Sequence, residues 1–296
     1  FSEKLGKSFQ GPAFGVPGIR KLLKVKKRPL VGTIIKPKVG LNEKEHAKVA
    51  YDAWVGGLDI VKDDENLTNM SFNRFEKRVV ETLKLRDKAE KETGEKKIYM
   101  PNVTAETDEM LHRARFVKKC GGEYVMVDIL TLGFSALQTL RKANLGLVLH
   151  AHRAMHAALT RNEHHGISML VLAKITRLIG ADQLHIGTAF VGKMSGSAKE
   201  VIDIESAINE KSFGIKPVFA VASGGLHPGH VPKLAKRMGT DVIMQFGGGV
   251  HGHPDGTRAG ARAVRQAAEA VTKEVSLKQY AKTHKELAGA IEKWGC

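Results

Sequence analysis

Residues 56–66 read GGLDIVKDDEN, a stretch that joins a strand pattern to a concentration of charge. The mostly apolar run at residues 58–61 predicts a short buried strand. It ends at Lys62, and three acids, Asp63, Asp64 and Glu65, follow directly. Because buried charges are costly unless paired or bound to metal, the stretch has two interpretations. It is a solvated turn in which Lys62 neutralises its neighbours, or a site for a hard cation such as Mg²⁺, which prefers carboxylate oxygens.

The same succession of strand and helix recurs eight times along the chain. Apolar runs of strand length lie near residues 30–35, 58–62, 97–103, 124–129, 146–152, 182–187, 217–223 and 242–247. Segments with helical periodicity lie between and after them, at residues 43–56, 72–93, 108–120, 134–143, 168–179, 198–209, 228–238 and 257–272. Such an alternation predicts parallel strands with right-handed crossovers. Eight units in about 250 residues are typical of a (β/α)8 TIM barrel, whereas a doubly wound sheet rarely needs so many.

Three segments follow from this pattern. Residues 1–28 are an irregular linker or entry segment with a short basic helix near residues 18–24. Residues 29–275 form the catalytic barrel, and residues 276–296 add a C-terminal helix, with Ser276 as its N-cap, and a tail. The chain begins at Phe1 without an initiator Met, so we expect a fragment or a processed product.

Composition restricts the class of protein. The chain has 296 residues, of which 42% are hydrophobic and 26% charged, as in globular proteins that fold in water. No apolar run approaches the roughly 20 residues of a membrane span, and no secretory leader is present. The two cysteines, Cys120 and Cys296, fit no metal pattern. We therefore expect a cytoplasmic protein without membrane partners.

The net charge of +16 raises the question of nucleic-acid binding. The densest basic cluster lies at residues 20–28, and the chain has only four Tyr and two Trp to stack on bases. We expect no nucleic-acid partner, since an anionic small substrate such as a phosphate ester accounts for the charge equally well.

Functional groups of a barrel collect at the C-terminal ends of its strands. Polar residues or glycines end each of the eight predicted strands: Lys36 and Lys38; Lys62, Asp64 and Glu65; Asn102; Asp128; His150, His152 and Arg153; His185; Ser223, Gly224 and Gly225; Gln245, Gly247, Gly248 and Gly249. Their convergence on one rim predicts an enzyme.

These strand ends suggest distinct kinds of chemistry. Asp64 and Glu65 supply oxygen ligands for a metal. The glycine turns after the seventh and eighth strands expose backbone N–H groups that can bind phosphate, ordinary tight turns being the alternative. Arg153, His185 and Lys193 are cations that could hold a second phosphate or stabilise an oxyanion.

Two further lysine features indicate a reacting centre. Lys36 and Lys38 point the same way if the first strand persists through Pro37, and mutual repulsion would then make one of them a candidate base. Residues 189–197 read AFVGKMSGS, which predicts a mobile lid with Lys193 near its tip. A solvated surface lysine is the alternative there.

Several of these motifs closely resemble the large, catalytic subunit of ribulose-1,5-bisphosphate carboxylase/oxygenase (RuBisCO). The resemblance lies in GTIIKPKVGL at 32–41, GGLDIVKDDEN at 56–66 and HAHRAMH at 150–156, and it extends to HIGT at 185–188, GK at 192–193, SGG at 223–225 and QFGGG at 245–249. It spans residues 11–294. The motifs DENLT at 64–68 and HGHPDG at 251–256 resemble those of the archaeal form III branch, especially that of methanogens.

The resemblance implies that Lys62 is carbamylated by a CO₂ molecule that is not the substrate. The carbamate, Asp64 and Glu65 then hold Mg²⁺, and Asp63 is not expected to be a ligand. It implies carboxylation of ribulose 1,5-bisphosphate by CO₂ to two molecules of 3-phosphoglycerate, with an oxygenase side reaction with O₂, in archaeal salvage of AMP ribose.

The resemblance also assigns roles to single residues. Lys36 takes part in proton transfer at C3 and later protonates the product, and Lys38 assists near the metal. His152 handles protons during hydration and C–C cleavage, and Lys193 stabilises the new carboxylate. The resemblance implies that Arg153, His185 and Ser223 bind one phosphate of the substrate. It implies that Gly225, Gly247 and Gly248 bind the other phosphate, with Gly224 and Gln245 beside these three glycines. Asn102 is expected near the metal.

Two alternatives remain open beside this assignment. One is a RuBisCO-like enolase or isomerase of methionine-salvage sugar phosphates, although such proteins typically lose several of the residues present here, Arg153, His185, Lys193 and Ser223. The other is a non-catalytic fragment. The family's N-terminal α+β domain is expected to be absent from this chain, and in the family that domain completes the active site of the partner in a homodimer or a larger assembly of dimers.

We therefore expect weak or no carboxylation by the purified 296-residue chain on its own, because the wall supplied by that domain is missing. A turnover assay on this chain checks the expectation, and a near-normal rate would contradict it.

Overall fold

The computed structural model describes residues 1–162, 164–189, 191 and 198–296, and these contain one eight-stranded parallel sheet. The strands are β1 (Leu30–Ile34), β2 (Ile60–Lys62), β3 (Ile98–Met100), β4 (Tyr124–Asp128), β5 (Val148–His152), β6 (Gln183–His185), β7 (Phe219–Ser223) and β8 (Val242–Phe246). They pair in the order β3-β2-β1-β8-β7-β6-β5-β4. The two end strands approach each other through a parallel bridge between Asn102 and Met126. The sheet is thus a nearly closed barrel, and the predicted (β/α)8 fold is confirmed.

Helices surround this sheet on its outer side. In the described residues they are α1 (Glu3–Gly6), α2 (Gly15–Leu23), α3 (Glu43–Val55), α4 (Phe75–Thr93), α5 (Thr107–Lys119), α6 (Ile129–Leu132), α7 (Phe134–Lys142), α8 (Ala157–Thr160), α9 (Met169–Ile179), α10 (Ala198–Asn209), α11 (Val231–Met238), α12 (Gly248–His251), α13 (Gly256–Thr272), α14 (Leu277–Ala281) and α15 (Lys285–Trp294). A 3₁₀ turn, Pro228–His230, precedes α11. None of the described helices has the length and apolar character needed to cross a bilayer.

The C-terminal segment differs from its prediction in detail. The Ser276 side chain accepts a hydrogen bond from the Gln279 N–H, as an N-cap does. The helix that it starts ends at Ala281, and a second helix begins at Lys285, so two helices stand where one was expected.

The interior of the barrel is apolar at its lower end. Side chains alternate along a strand, so every second residue faces inward. The inward residues of the strand starts, among them Leu30, Ile60 and Phe219, form one cluster with Val16 and Ile19 of helix α2. Helix α2 therefore closes the bottom of the barrel and keeps water from its interior.

The interior becomes polar towards the C-terminal strand ends. The same two-residue alternation that buries the apolar cluster continues to the inward side chains Lys62, Asp128, His150, His152, Gln183, His185, Ser223 and Gln245. A larger apolar cluster between strands and helices fixes the strands from outside. These polar side chains therefore have fixed positions at the upper end of the barrel.

Asp182 attaches the closing helix to the barrel. This fully buried carboxylate accepts hydrogen bonds from the backbone N–H groups of Phe14, Gly15 and Leu149, at 2.6, 3.0 and 3.0 Å. The first two groups lie at the start of α2 and the third lies in β5.

We predict that Asp182→Ala lowers the free energy of unfolding by about 2–4 kcal/mol, because three buried N–H groups lose their acceptor. Urea titration measures the loss. Asp203→Ala is the matched control, since this carboxylate is 45% exposed and pairs with Lys199 on the same helix; its effect should stay below about 0.5 kcal/mol. Equal losses in both variants would contradict the role of Asp182.

Candidate active site

Strand β2 delivers a buried lysine to the upper rim of the barrel. The Lys62 side chain is 1% exposed, and its Nζ donates to the Asp63 carbonyl oxygen at 2.8 Å. Its Nζ also lies 3.4 Å from Glu65 Oε2 and 3.3 Å from the Met126 sulfur. The Lys62 ammonium is fully buried, and one carboxylate at 3.4 Å offsets only a part of its desolvation cost.

Asp63 belongs to a separate buried network beside the site. Its carboxylate accepts hydrogen bonds from the Tyr99 hydroxyl at 2.7 Å, Arg78 Nε at 3.1 Å and the Asn102 N–H at 3.0 Å, and His46 Nε2 lies 3.0 Å away. Burial alone would raise the pKa of Asp63, but the Arg78 charge and these hydrogen bonds outweigh it and lower that pKa. These contacts fix Asp63 in place, and so they anchor the start of the loop that carries Asp64 and Glu65.

Asp64 faces a lysine from the neighbouring strand end. Lys36 Nζ lies 2.5 Å from Asp64 Oδ2, and the Asn66 backbone and side-chain N–H groups donate to Oδ1. Burial would raise the pKa of Asp64, but the hydrogen bonds from Lys36 and Asn66 lower it. Lys38 is exposed, and β1 ends at Ile34, so the strand does not persist through Pro37 and the condition for parallel Lys36 and Lys38 side chains is not met.

Glu65 and His152 meet on the opposite side of Lys62. The Glu65 side chain is 31% exposed, and Asn102 Nδ2 donates to its carbonyl oxygen at 3.0 Å. His152 Nδ1 lies 2.9 Å from Asp128 Oδ1, and its Nε2 lies 3.9 Å from Glu65 Oε2. Because a carboxylate accepts, Asp128 fixes the ring proton on Nδ1 and turns a basic Nε2 towards the rim.

A chain of hydrogen bonds links three adjacent strands. His150 Nδ1 lies 2.7 Å from Gln183 Oε1, His150 Nε2 lies 2.9 Å from His185 Nε2, and His185 Nδ1 lies 2.8 Å from the Ser223 hydroxyl. Burial and then the Lys62 charge lower the pKa of His150 to about 3, and burial lowers that of His185. Both rings are therefore neutral at pH 7 and act through hydrogen bonds.

The glycine turns after β7 and β8 leave open space above the rim. Gly224 and Gly225 have φ of 122° and 65°, in the region that favours glycine. A Cβ atom at Gly248 would meet nothing within 4 Å, and one at Gly247 would meet only the Lys36 Cε, at 4.0 Å. An anion can approach the backbone at these positions.

The remaining predicted residues lie in different surroundings. Arg153 is partly buried, and burial lowers its pKa. Gln245 is 1% exposed inside β8, and neither of its side-chain polar atoms has a hydrogen-bond partner in the described residues. Lys193 and most of the predicted lid, residues 190 and 192–197, lie outside the described residues.

The structure adds residues that support the predicted ones, among them Asp128 and His150, which the sequence named as strand ends without a specific role. Asp128 orients His152, Gln183 contacts His150, which in turn contacts His185, and Arg78, Tyr99 and His46 hold Asp63. A signal existed for two of them, since His150/His152 and Gln183/His185 are spaced by two residues in strands and so share a face.

Two carboxylates, Asp64 and Glu65, follow Lys62 closely in the sequence. Asp64 Oδ2 lies 2.5 Å from Lys36 Nζ, and Glu65 Oε2 lies 3.4 Å from Lys62 Nζ. Within the described part of the chain, no three His, Cys, Asp or Glu side chains are grouped so as to hold a metal ion.

A family model and curated proteins match this chain over most of its length. The model described as the catalytic domain of the ribulose bisphosphate carboxylase large chain matches residues 15–294. The ribulose bisphosphate carboxylases of Methanocaldococcus jannaschii and Methanosarcina mazei are each 56% identical to it, over 99% of this chain and 72% of theirs.

Solved structures agree with those matches. An octameric RuBisCO from Pyrococcus horikoshii OT3, in complex with sulfate ion, superposes with a TM-score of 0.96 at 51% identity, over 99% of this chain and 69% of that one. A dimeric archaeal RuBisCO from Hyperthermus butylicus gives 0.94 at 47% identity, over 100% of this chain and 72% of that one.

The neutral buried histidines predict acid sensitivity. An unfolded histidine takes up a proton below its pKa of about 6.5, whereas folded His150 stays neutral down to about 3, so stability is lost as the pH falls through this window. Each such group contributes up to about 1.4 kcal/mol per pH unit.

Urea titrations of the wild type and of His150→Gln between pH 7.5 and 5 measure this slope. The variant should lose less stability on acidification, whereas His112→Gln, at a side chain that is 64% exposed, should follow the wild type. Identical slopes for wild type and His150→Gln would refute the assignment.

Proposed function

Because the chain belongs to the ribulose bisphosphate carboxylase large-chain family, with relatives in archaea, we propose that it carboxylates ribulose 1,5-bisphosphate and yields two molecules of 3-phosphoglycerate. The observation that carries the proposal is the buried Lys62 on the barrel rim, whose Nζ lies 3.4 Å from Glu65 Oε2 and which is followed two residues later by Asp64. We further propose the oxygenase side reaction with O₂, a cytoplasmic location and a place in the salvage of AMP ribose.

The residues around Lys62 fit Mg²⁺ once Lys62 is carbamylated by CO₂. The modification replaces a sparsely paired ammonium by an anionic oxygen donor beside two carboxylates. Three anionic groups that lie close together and are largely shielded from water repel one another without a cation, so carbamate and metal would stabilise each other. Bound Mg²⁺ supplies a Lewis acid that polarises substrate oxygens. Asp63, which is saturated by Arg78, Tyr99 and Asn102, stays outside this set.

Lys36 is the proposed group for proton transfer at C3 of the substrate and for later protonation of the product. Its Nζ is held by Asp64 at 2.5 Å, and its Cε lies 4.0 Å from the Cβ position of Gly247. The side chain therefore spans the distance between the metal ligands and a phosphate turn. Exposed Lys38 assists only if it moves towards the metal when substrate binds.

His152 is the proposed acid–base group for hydration and C–C cleavage. Asp128 holds its Nδ1–H, which leaves Nε2 free to exchange a proton on the side that faces Glu65. This arrangement of a carboxylate that orients an imidazole is the usual support for a general base. Lys193 keeps its proposed role of stabilising the new carboxylate, on the basis of its sequence alone.

Two groups of residues are proposed to hold the two phosphates. Arg153, His185 and Ser223 take one, and Gly225, Gly247 and Gly248 take the other through backbone N–H groups, with Gly224 beside them. Neutral His185 contributes by orienting the Ser223 hydroxyl, to which it is hydrogen-bonded. Gln245 lies below these turns, and its amide atoms have no hydrogen-bond partner among the residues that the structure describes; Asn102 holds the Glu65 backbone.

The domain limits that we propose from the sequence are 1–28, 29–275 and 276–296. With these limits, all of the residues named above lie in the barrel. We propose a homodimer or an assembly of dimers, since the structural neighbours include dimeric and octameric proteins. In such a dimer, a partner subunit would close the rim over the substrate.

The proposal predicts the fate of labelled CO₂. Long incubation with ribulose 1,5-bisphosphate, Mg²⁺ and ¹³CO₂ should place ¹³C in one of the two 3-phosphoglycerate molecules. Asp64→Asn and Glu65→Gln should each lower the rate by about 100-fold or more, because each removes a charged ligand. Asp203→Asn, at an exposed helix position, should leave the rate unchanged.

Product analysis by mass spectrometry reads the outcome. An isomerised sugar phosphate without ¹³C would identify the enolase-type alternative and reject carboxylation. Because the chain on its own is expected to turn over weakly or not at all, the non-catalytic alternative is favoured only if a folded chain without conversion also forms no Mg²⁺-dependent carbamate on Lys62.

A further inference from the structure

The glycine turns after β7 and β8 pack directly against each other. A Cβ atom at Gly249 would lie 2.2 Å from the Leu226 carbonyl oxygen and 2.7 Å from the His227 Cα. Such distances leave no room for a side chain, so backbone meets backbone. A shift of one turn therefore displaces the other.

The end of helix α15 contacts both turns through one side chain. The Trp294 ring stacks on His227, which follows β7, with ring centroids 6.0 Å apart and an interplanar angle of 21°. It also meets His253, which follows β8, edge-on at 6.4 Å. A Cβ atom at Gly252 would lie 3.6 Å from the same ring. Trp294 thus bridges the two loops.

Polar and backbone contacts strengthen this bridge. Lys293 Nζ donates to the Gly252 carbonyl oxygen at 2.6 Å, and His253 Nε2 lies 2.9 Å from the Glu286 carbonyl oxygen. A Cβ atom at Gly229 would lie 2.2 Å from the Gly295 carbonyl oxygen. Both ends of α15 are therefore fixed to the loops behind the phosphate turns.

We propose that helix α15, through Trp294 and Lys293, is a positioning element that sets the spacing of the two turns for phosphate. The inference rests on the proposed function for the assignment of Gly225, Gly247 and Gly248 to one phosphate. Backbone N–H groups bind an oxygen only within about 2.7–3.2 Å, so a displacement of about 1 Å between the turns weakens binding. Gly225 and Gly248 are themselves exposed, and their placement depends on the support behind them.

The test compares inorganic phosphate binding with thermal stability in the full chain. Trp294→Ala should raise the Kd for inorganic phosphate, measured by calorimetry, by about 5- to 20-fold. Trp294→Phe keeps a ring in place and should stay within about 3-fold of the wild type. Lys293→Met, which removes the bond to Gly252 and the contact of the ammonium with the Trp294 ring, should raise the Kd by about 2- to 5-fold. Glu292→Ala, at an exposed position on the same helix, is the control and should bind as the wild type does.

Melting temperatures separate positioning from general support. A lower Tm in Trp294→Ala with an unchanged phosphate Kd would overturn the proposal, and so would a Phe variant as impaired as the Ala variant. If the Trp294→Ala variant does not fold, the Lys293→Met variant decides the question: an unchanged Kd for inorganic phosphate in that variant would overturn the proposal. Because phosphate binding needs no turnover, an isomerised sugar phosphate without ¹³C would reject the proposed function and leave this result standing.

Discussion

The cost of burying the Lys62 ammonium is the constraint on which the site depends. The side chain lies inside a barrel whose lower end is apolar and closed by α2, so water cannot solvate it from below. Its partners are a backbone carbonyl, a thioether and one carboxylate at 3.4 Å. Under the proposed function, CO₂ adds to the neutral amine, and conversion of the ammonium to the carbamate releases two protons and replaces a sparsely paired positive charge by a negative one.

The surroundings of Lys62 are organised by two further ion pairs. Arg78 and Tyr99 saturate Asp63 on the outside of the sheet, which fixes the loop after β2. Lys36 neutralises Asp64 from the end of β1. The three consecutive acids therefore have different partners, because they face different sides of one strand end. The proposed metal ligands are the two of them, Asp64 and Glu65, that Arg78 and Tyr99 do not hold.

Much of the fold followed from the sequence, because strand and helix periodicities are local properties. The eight units, Ser276 as an N-cap and the polar strand ends are all of this kind. The Gln183–His150–His185–Ser223 chain depends on the register between strands, which no single segment encodes. The exposure of Lys38 depends on where β1 ends, and the contact of Trp294 with His227 joins residues far apart in the chain. The expectation that Asp63 is not a metal ligand stays a prediction, and its partners Arg78 and Tyr99 became visible only in the packed structure.

Detection of a carbamate on Lys62 tests the central claim most directly. The protein is equilibrated with ¹³CO₂ and Mg²⁺, the carbamate is trapped by methylation, and the modified lysine is located by peptide mass spectrometry. The account predicts label on Lys62 that depends on Mg²⁺ and falls sharply in Asp64→Asn. Absence of label on Lys62, or equal label with and without Mg²⁺, would contradict it.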